Sequence, residues 1–460
     1  MKNYSKTKII ATIGPSSWEE DILREMYSSG MNIARINASF ASFEELERVS
    51  KLIKSISPRI GIMLDTQGHK IRVVGLDKEI TIEHEVSIPK TFNISYPDLY
   101  KDVIKGTPIL LDDGNIQLRV KDIRGAEVIC EVIQPGILKP NKTVSIPSIN
   151  LNFPTITEKD KKDILFAVDH KFDFLSLSFI RNKEDILAVR ELIGVSDIKL
   201  VAKIENAFGV ENFDEILSEA DAIMIARGDL GVEIPFEKVT ILQKQFIYKC
   251  RSVGKPVIVA TQMLESMKEE IQPTRAEISD VANAVMDGAD ALMLSAETST
   301  GKYPVESVKT MEKIVKEAES VLQQSPIYGH TSAPVEVDEL CRNLCDISEN
   351  ITLKGIIVIS TTGKTVQSLC RHRPNTPIWE ISDSIVRIRQ DSLLNGVKGY
   401  YLSKLPQDRD ECAQRAVELI YSHGELDLGD KIAIISGSSI RHKNADAILE
   451  IVNVKDVLSR

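Results

Sequence analysis

The sequence of 460 residues predicts an α/β chain: a (β/α)8 TIM-type barrel, a small all-β lid domain inserted into it, and a C-terminal doubly wound α/β domain. Three observations carry this reading. Eight short apolar runs of strand length are mostly followed by stretches of helical periodicity. Residues 70–153 break that rhythm with short β-rich pieces and turn signals. From residue 331 a second alternation of strands and helices begins.

In chain order, IIATIG, MNIARIN and IGIMLDT give three barrel strands within residues 1–69. The pieces ITIEHEVSIP, PILLDDGNIQLRV and AEVICEVIQ follow within residues 70–153, where no helix is expected. An insertion joined to a barrel at two points can close over its mouth. The barrel resumes over residues 154–330 with FLSLSF, IKLVAKIE, AIMIARG, PVIVATQ and ALMLSAET. Helical periodicity covers residues 237–253 and 274–287. The stretch QQSPIYGHTSAPV, residues 323–335, is rich in Pro, Ser and Gly and reads as a domain boundary. Residues 331–460 then alternate GIIVIS, PIWEIS, GYYLS and KIAIISG with TVQSLCRHR and RDECAQRAVELIYSH. A parallel barrel carries its site at the C-terminal ends of its strands, where the polar residues of these runs gather.

Composition excludes several functions. The net charge of −10 argues against nonspecific nucleic-acid binding. A phosphate-rich ligand would therefore need a local basic cluster or a metal. No run reaches the roughly 18 apolar residues of a membrane span. The N-terminus has neither a long apolar region nor a cleavage motif. A cytoplasmic protein without nucleic-acid or membrane partners is expected. The six cysteines are Cys130, Cys250, Cys341, Cys345, Cys370 and Cys412. Cys341 and Cys345 stand one helical turn apart, but no second ligand pair accompanies them. Reduced thiols explain them better than zinc.

The strongest functional signal is residues 201–235, VAKIENAFGVENFDEILSEADAIMIARGDLGVEIP. Side chains alternate along a strand, so Val201, Lys203 and Glu205 share one face. Asp229 follows the next apolar run, in the turn Arg227-Gly228-Asp229-Leu230-Gly231. Two carboxylates on neighbouring strands can hold Mg²⁺ with waters left for a substrate. A lysine beside them can neutralise an anion in transfer. A salt-bridged strand pair is the commoner explanation for any lysine and two acids taken alone. Glycine at 228 lets the backbone approach an anion closely, and a helix start there attracts negative charge. Asp229 could equally be the N-cap of that helix.

Further strings stand in fixed order along the chain: KTKIIATIGPSS (6–17), MNIARINAS (31–39), LDTQGHKIR (64–72), ILLDDGNI (109–116), LSLSFIRNKEDI (175–186), KPVIVATQMLESM (255–267), PTRAEISDVANAVMDGADALMLSAETSTGKYP (273–304) and STTGKT (360–365). With residues 201–235 they resemble the pyruvate kinase family over nearly the whole chain. The resemblance implies glycolytic phosphoryl transfer from phosphoenolpyruvate to ADP, giving pyruvate and ATP. It implies Glu205 and Asp229 as ligands of Mg²⁺ (or Mn²⁺), and Lys203 as the cation on the phosphoryl group in flight. Arg35 matches the phosphate-binding arginine. Thr261 matches the threonine that protonates the enolate through water. Gly228 and Asp229 match the backbone that holds the substrate carboxylate. Ser178 and Gln262 are secondary site candidates. Asn37, Arg72 and Lys142 match nucleotide contacts. Asn37, Ser39, Asp65 and Thr66 match the K⁺ ligands. The resemblance also implies a homotetramer and a phosphorylated allosteric effector. Its loop would be Ser360, Thr361, Thr362, Gly363, Lys364 and Thr365. That loop is no P-loop, because Val358 stands where a glycine is needed.

The chain departs from the family pattern in four places. Ala38 and Phe40 replace the usual Phe and His of Asn-Phe-Ser-His, which puts nucleotide preference in doubt. Lys142 is followed by Thr-Val-Ser-Ile-Pro-Ser instead of Gly-Val-Asn-Leu-Pro-Gly. Lys70 replaces a glutamate that accompanies K⁺ dependence, so K⁺-independent activity is expected, an ammonium standing in for the ion. Ala296 replaces a glycine and would strain the backbone if its φ were positive. Two other readings stay open: a metal-dependent lyase or aldolase acting on pyruvate or a related oxo acid, and a regulatory binder without catalysis.

Overall fold

The computed structural model describes residues 5–147, 149, 151–322, 327, 329, 331–436 and 447–459. Its centre is a closed barrel of eight parallel strands: β1 (Lys8–Ile13), β2 (Met31–Asn37), β3 (Gly61–Asp65), β4 (Phe174–Leu177), β5 (Lys199–Ile204), β6 (Ala222–Ala226), β7 (Val257–Ala260) and β8 (Ala291–Leu294). Each strand pairs with its neighbours in chain order, and Lys8 opposite Ala291 closes the ring. These strands are apolar on both faces because both are buried. One alternate set, including Ile10, Ile33, Met63, Phe174, Val201, Met224, Ile258 and Met293, fills the barrel. The other set, including Ile9, Ala34, Leu64 and Ile223, packs beneath the helices.

The two long helical periodicities are helices over Phe236–Ser252 and Arg275–Asp287. The second starts with a capping box. The Thr274 hydroxyl accepts from the Glu277 N–H, and the Glu277 carboxylate accepts from the Thr274 N–H. It stops at Gly288, whose φ of +97° suits a residue without Cβ.

Between β3 and β4 lie a seven-stranded antiparallel sheet and a two-stranded one. They enclose their own core, including Val73, Ile82, Ile109, Leu111 and Leu138. One helical turn, Leu99–Asp102, occurs where none was expected. Four residues are too few to display a helical period.

The C-terminal sheet contains β9 (Ile356–Ile359), β10 (Ile378–Ser382), β11 (Val397–Tyr401) and β12 (Lys431–Ser436), parallel in the order β11-β10-β9-β12. A fifth strand, β13 (Ile448–Asn453), adds antiparallel to β12. The sequence did not reveal it, because as an edge strand it is partly exposed along its length.

This domain closes the end of the barrel where the strands begin. Leu393 joins the cluster inside the barrel. Arg389 Nε donates to Asp173 Oδ1 (2.8 Å), and the other oxygen of Asp173 accepts from Ile62 N (2.9 Å). Arg373 Nη1 donates to Asp290 Oδ1 (2.7 Å), whose partner oxygen accepts from Val257 N (3.0 Å). Asp173 and Asp290 immediately precede β4 and β8, so two buried ion pairs tie the domain to strand starts. Among the described residues no helix is long and apolar enough to cross a membrane. The cysteines are all free; Cys345 is half-buried and the other five are buried.

Candidate active site

The opposite end of the barrel gathers most of the residues singled out in the sequence. Arg35, near the end of β2, donates through Nε and Nη2 to Asp65 Oδ2, the Nε contact being 2.8 Å. Its Nη1 donates to Thr12 Oγ1 (2.9 Å) on β1. Lys203, on β5, lies 3.3 Å from Asp65 Oδ1 and 3.4 Å from Glu205 Oε2, and donates to Ser178 Oγ (2.8 Å). Ser178 Oγ in turn donates to Thr66 O (2.7 Å). Asp65 therefore has two cationic partners at once. Burial works to raise its pKa, but Arg35 and then Lys203 hold it below the usual range. Burial likewise works against the charge of Lys203, yet Asp65 and Glu205 raise its pKa.

Glu205, just past β5, is fully buried. Its Oε1 accepts from Phe179 N (2.6 Å), while its Oε2 has no hydrogen-bond partner among the described residues. Burial raises its pKa; Lys203 opposes this and Asp229 adds to it. A buried carboxylate oxygen left without a donor is costly. Hard oxygens of this kind fit a divalent cation shared with Asp229. Among the described residues no cluster of three or more metal-ligating side chains occurs, so the protein would supply only part of the coordination.

Asp229 lies in the short helix Arg227–Glu233. It is not the N-cap: Ala226 occupies that position and Asp229 sits in the first turn. Its carboxylate pairs with Lys70 Nζ (2.5 Å), so the half-buried Lys70 side chain is turned to the barrel mouth. Thr261 lies one residue beyond the end of β7, with φ of +69°, and Gln262 follows at +54°. For a β-branched residue this is a strained backbone. It aims Thr261 Oγ1 at the helix start, where it accepts from Gly228 N (2.8 Å) and donates to Ala260 O (2.6 Å). A Cβ on Gly228 would come within 3.3 Å of that oxygen.

The four oxygen-bearing residues matched to K⁺ ligands are otherwise engaged in part. Asn37 Oδ1 accepts from Ser39 N (3.0 Å), Asp65 serves Arg35 and Lys203, and Thr66 Oγ1 accepts from Ser178 N (3.2 Å). Phe40 is largely exposed. Ala296 begins the turn of helix Ala296–Ser299 and is not among the residues of positive φ, so its methyl brings no backbone strain.

The inserted domain supplies Arg72 and Lys142. Arg72 is the register partner of Thr143, which places Lys142, just before that strand, beside the strand of Arg72. Arg72 Nη1 donates to Asn141 O (2.9 Å), and Lys142 Nζ pairs with Asp112 (2.6 Å). A cleft of about 730 Å³, open to solvent, separates this domain from the barrel mouth; Lys70, Ser145, Asp229 and Glu233 line it. Glu233 was missed in the sequence, although it stands four residues after Asp229 on one helix. Burial pushes its pKa up to about 7; a hydrogen bond with Ser145 opposes this, and Asp229 and Glu205 add to it. Thr12 was also missed, since a threonine inside an apolar run signals only a strand.

The loop of residues 360–365 lies in the C-terminal domain, after β9. Ser360 Oγ accepts from Gly363 N (2.9 Å), and Gly363 has φ of +78° at the start of helix Lys364–Arg371. Thr361, Thr362 and Lys364 are exposed, and Thr365 is half-buried.

Two family models match the chain. The pyruvate kinase barrel domain matches residues 4–308, and the pyruvate kinase alpha/beta domain matches residues 338–452. The chain is similar to a pyruvate kinase of Geobacillus stearothermophilus, 39% identical over 480 aligned positions that cover 99% of this chain and 81% of the relative. It is 37% identical to a pyruvate kinase of Bacillus licheniformis and 38% identical to one of Staphylococcus aureus strain MRSA252, with the same coverage.

The strained turn at Thr261 gives one prediction. Thr261→Val keeps the side-chain shape but leaves the Gly228 N–H without an acceptor. It is expected to lower stability by about 1–3 kcal/mol, read as a fall in melting temperature, while Thr261→Ser retains the bond and most of the stability. Equal melting of wild type and the valine variant would refute the role given to this bond.

Proposed function

Since the chain belongs to the pyruvate kinase family, we propose that the named residues at the barrel mouth transfer a phosphoryl group from phosphoenolpyruvate to ADP, giving pyruvate and ATP. The observation that carries this reading is Glu205. It is fully buried, has an oxygen without a donor, and lies beside Lys203 within the field of Asp229. The ion pair with Lys203 (3.4 Å) leaves that oxygen without a hydrogen bond, an environment suited to a cation and an anionic substrate together. The match of both domains to one kinase family argues against the lyase and aldolase readings, and the presence of Arg35, Lys203, Glu205, Asp229 and Thr261 argues against a silent binder.

Glu205 and Asp229 would hold Mg²⁺ or Mn²⁺, which when bound supplies Lewis-acid stabilisation of phosphoryl oxygens. Lys203 neutralises charge on the transferring group, at a place where Asp65 and Glu205 keep it protonated. Arg35 binds phosphate from the wall of the same pocket, and Ser178 fixes the Lys203 ammonium. Because Gly228 N–H is donated to Thr261, the amide of Asp229 is the one assigned to the substrate carboxylate. The Thr261 hydroxyl passes a proton to the enolate carbon through water, a hydroxyl alone being a poor acid. Gln262 borders that path. Asn37, Arg72 and Lys142 bind the nucleotide across the cleft.

We assign K⁺ independence to Lys70. Its ammonium stands on Asp229 (2.5 Å) at the barrel mouth, while in the oxygen set at Asn37, Ser39, Asp65 and Thr66 the side chains of Asn37, Asp65 and Thr66 already accept hydrogen bonds. A fixed positive charge there serves the phosphates as a monovalent cation would. The family's tetrameric assembly and an effector site at residues 360–365 belong to the same proposal. Exposed Thr361, Thr362 and Lys364 offer a phosphate group hydroxyls and a cation.

Pyruvate formation from phosphoenolpyruvate and ADP with Mg²⁺ tests the assignment. Lys203→Ala is expected to cut turnover by about 10²–10³-fold, the size of losing one preorganised charge contact. No pyruvate from folded wild type, with sugar phosphates present, would remove the reading. Replacing K⁺ by tetramethylammonium is expected to leave wild-type activity unchanged, and Lys70→Glu to make activity K⁺-dependent. Large K⁺ activation of the wild type would sink that part alone. Lys364→Ala is expected to lose calorimetric binding of a sugar phosphate at the C-terminal loop; unaltered binding would count against the effector site.

A further inference from the structure

At the other end of the barrel, between its strand starts and the C-terminal domain, lies a cavity of about 540 Å³ including its open mouth. Lys6, Arg251, Gly288, Glu319, Arg373 and Asn395 line it. Its charges are unevenly matched. The Glu319 carboxylate is taken up by backbone N–H groups, those of Lys6 (2.9 Å) and Thr7 (2.6 Å). Asp290, behind the wall, is taken up by Arg373 Nη1 (2.7 Å), Val257 N (3.0 Å) and Asn395 N (3.3 Å). Lys6 Nζ donates to Pro374 O (3.2 Å).

The guanidinium groups are left with spare donors. Arg251 Nε and Nη2 and Arg373 Nε are buried and have no hydrogen-bond partner among the described residues. Arg373 itself is only 6% exposed. The two spare groups of Arg251 form one edge of its guanidinium. That edge presents two parallel N–H bonds, the fork that grips two oxygens of a single oxyanion. Arg251 packs closely over Gly288. Gly288 has φ of +97°, and a Cβ on it would come within 2.9 Å of Arg251 Nη1. Burial, and then the neighbouring Arg373, bring the pKa of Arg251 down to about 10, with Asp290 opposing and Arg371 adding to the fall. The cavity wall thus carries three cations, Lys6, Arg251 and Arg373, against one carboxylate, Glu319, and two of those cations keep buried N–H groups without partners among the described residues.

We propose that this cavity binds a phosphate group, free or borne by a small metabolite, gripped by the Nε–Nη2 edge of Arg251 and by Arg373 Nε. Such a ligand touches the barrel through Arg251 and the C-terminal domain through Arg373, so its binding strengthens their contact. The site is separate from the barrel mouth and from residues 360–365, and it does not depend on the reaction assigned above.

Equilibrium dialysis of the full chain against labelled inorganic phosphate tests this. Wild type is expected to bind one more phosphate per chain than Arg251→Gln, and Arg251→Lys, which keeps the charge but loses the fork, to bind it at least about tenfold more weakly. Pyruvate formation without added phosphate should be alike in all three. If Arg251→Gln does not fold, Met286→Trp serves instead, because Met286 lies at the cavity wall with 47% of its surface exposed. It should lose the same phosphate by occlusion. Equal stoichiometry and affinity in wild type and variants would show a cavity holding water alone and overturn the proposal.

Discussion

The barrel mouth is organised around one buried carboxylate. Asp65 ends β3 with almost no exposure and is shared by Arg35 and Lys203. Buried charges are tolerated only when compensated, since removing water from an ion costs several kcal/mol. Two long cationic side chains, from β2 and β5, are thereby drawn toward one point. Thr12 then accepts from Arg35 and Ser178 from Lys203, and the Ser178 hydroxyl passes its own donor to Thr66 O. Glu205 and Asp229 complete the group, answered by Lys203 and Lys70. Arg35, Asp65, Lys203 and Glu205 thus form a largely buried group in which each charge meets its opposite, and electrostatic contacts have their greatest effect where water is displaced.

The short helix Arg227–Glu233 links this pocket to the inserted domain. It carries Asp229, which pairs with Lys70 where the chain leaves the barrel, and Glu233, which meets Ser145 from a sheet strand. Thr261 holds the start of the same helix through Gly228. The inserted domain thus meets the same helix that carries an acid of the pocket. Contacts of this kind are a physical means by which closure over a barrel mouth completes a site.

Much of this was legible in the sequence, and the reasons are specific. Eight apolar runs announced eight strands because parallel strands are buried on both faces. The period of two placed Lys203 and Glu205 together, since side chains on a strand alternate. What escaped depended on distant partners or on local backbone. Nothing in LDTQGHKIR says that Lys70 meets Asp229, which is 159 residues away. The positive φ of Thr261 goes against its residue type, and only the surrounding structure imposes it. The helix Leu99–Asp102 is too short for a period, and β13 lies at an edge where burial is incomplete. Asp229 was read as a possible cap because aspartate is common there; Ala226 takes that place without a side-chain bond.

Leu393 gives the architecture a different meaning. A barrel of this kind is often treated as a self-contained chassis on which other domains are mounted. Here the floor of the chassis belongs to the passenger: a leucine from the C-terminal domain sits among the side chains that fill the barrel, between the anchors Arg389–Asp173 and Arg373–Asp290. The two parts are consequently poor candidates for exchange between relatives. A transplanted C-terminal domain must arrive with a stopper of matching size and two arginines in register, or the recipient barrel is left with a hole and two stranded acids. Divergence of the C-terminal domain is in this sense constrained by a core to which, among the described residues, it contributes a single side chain.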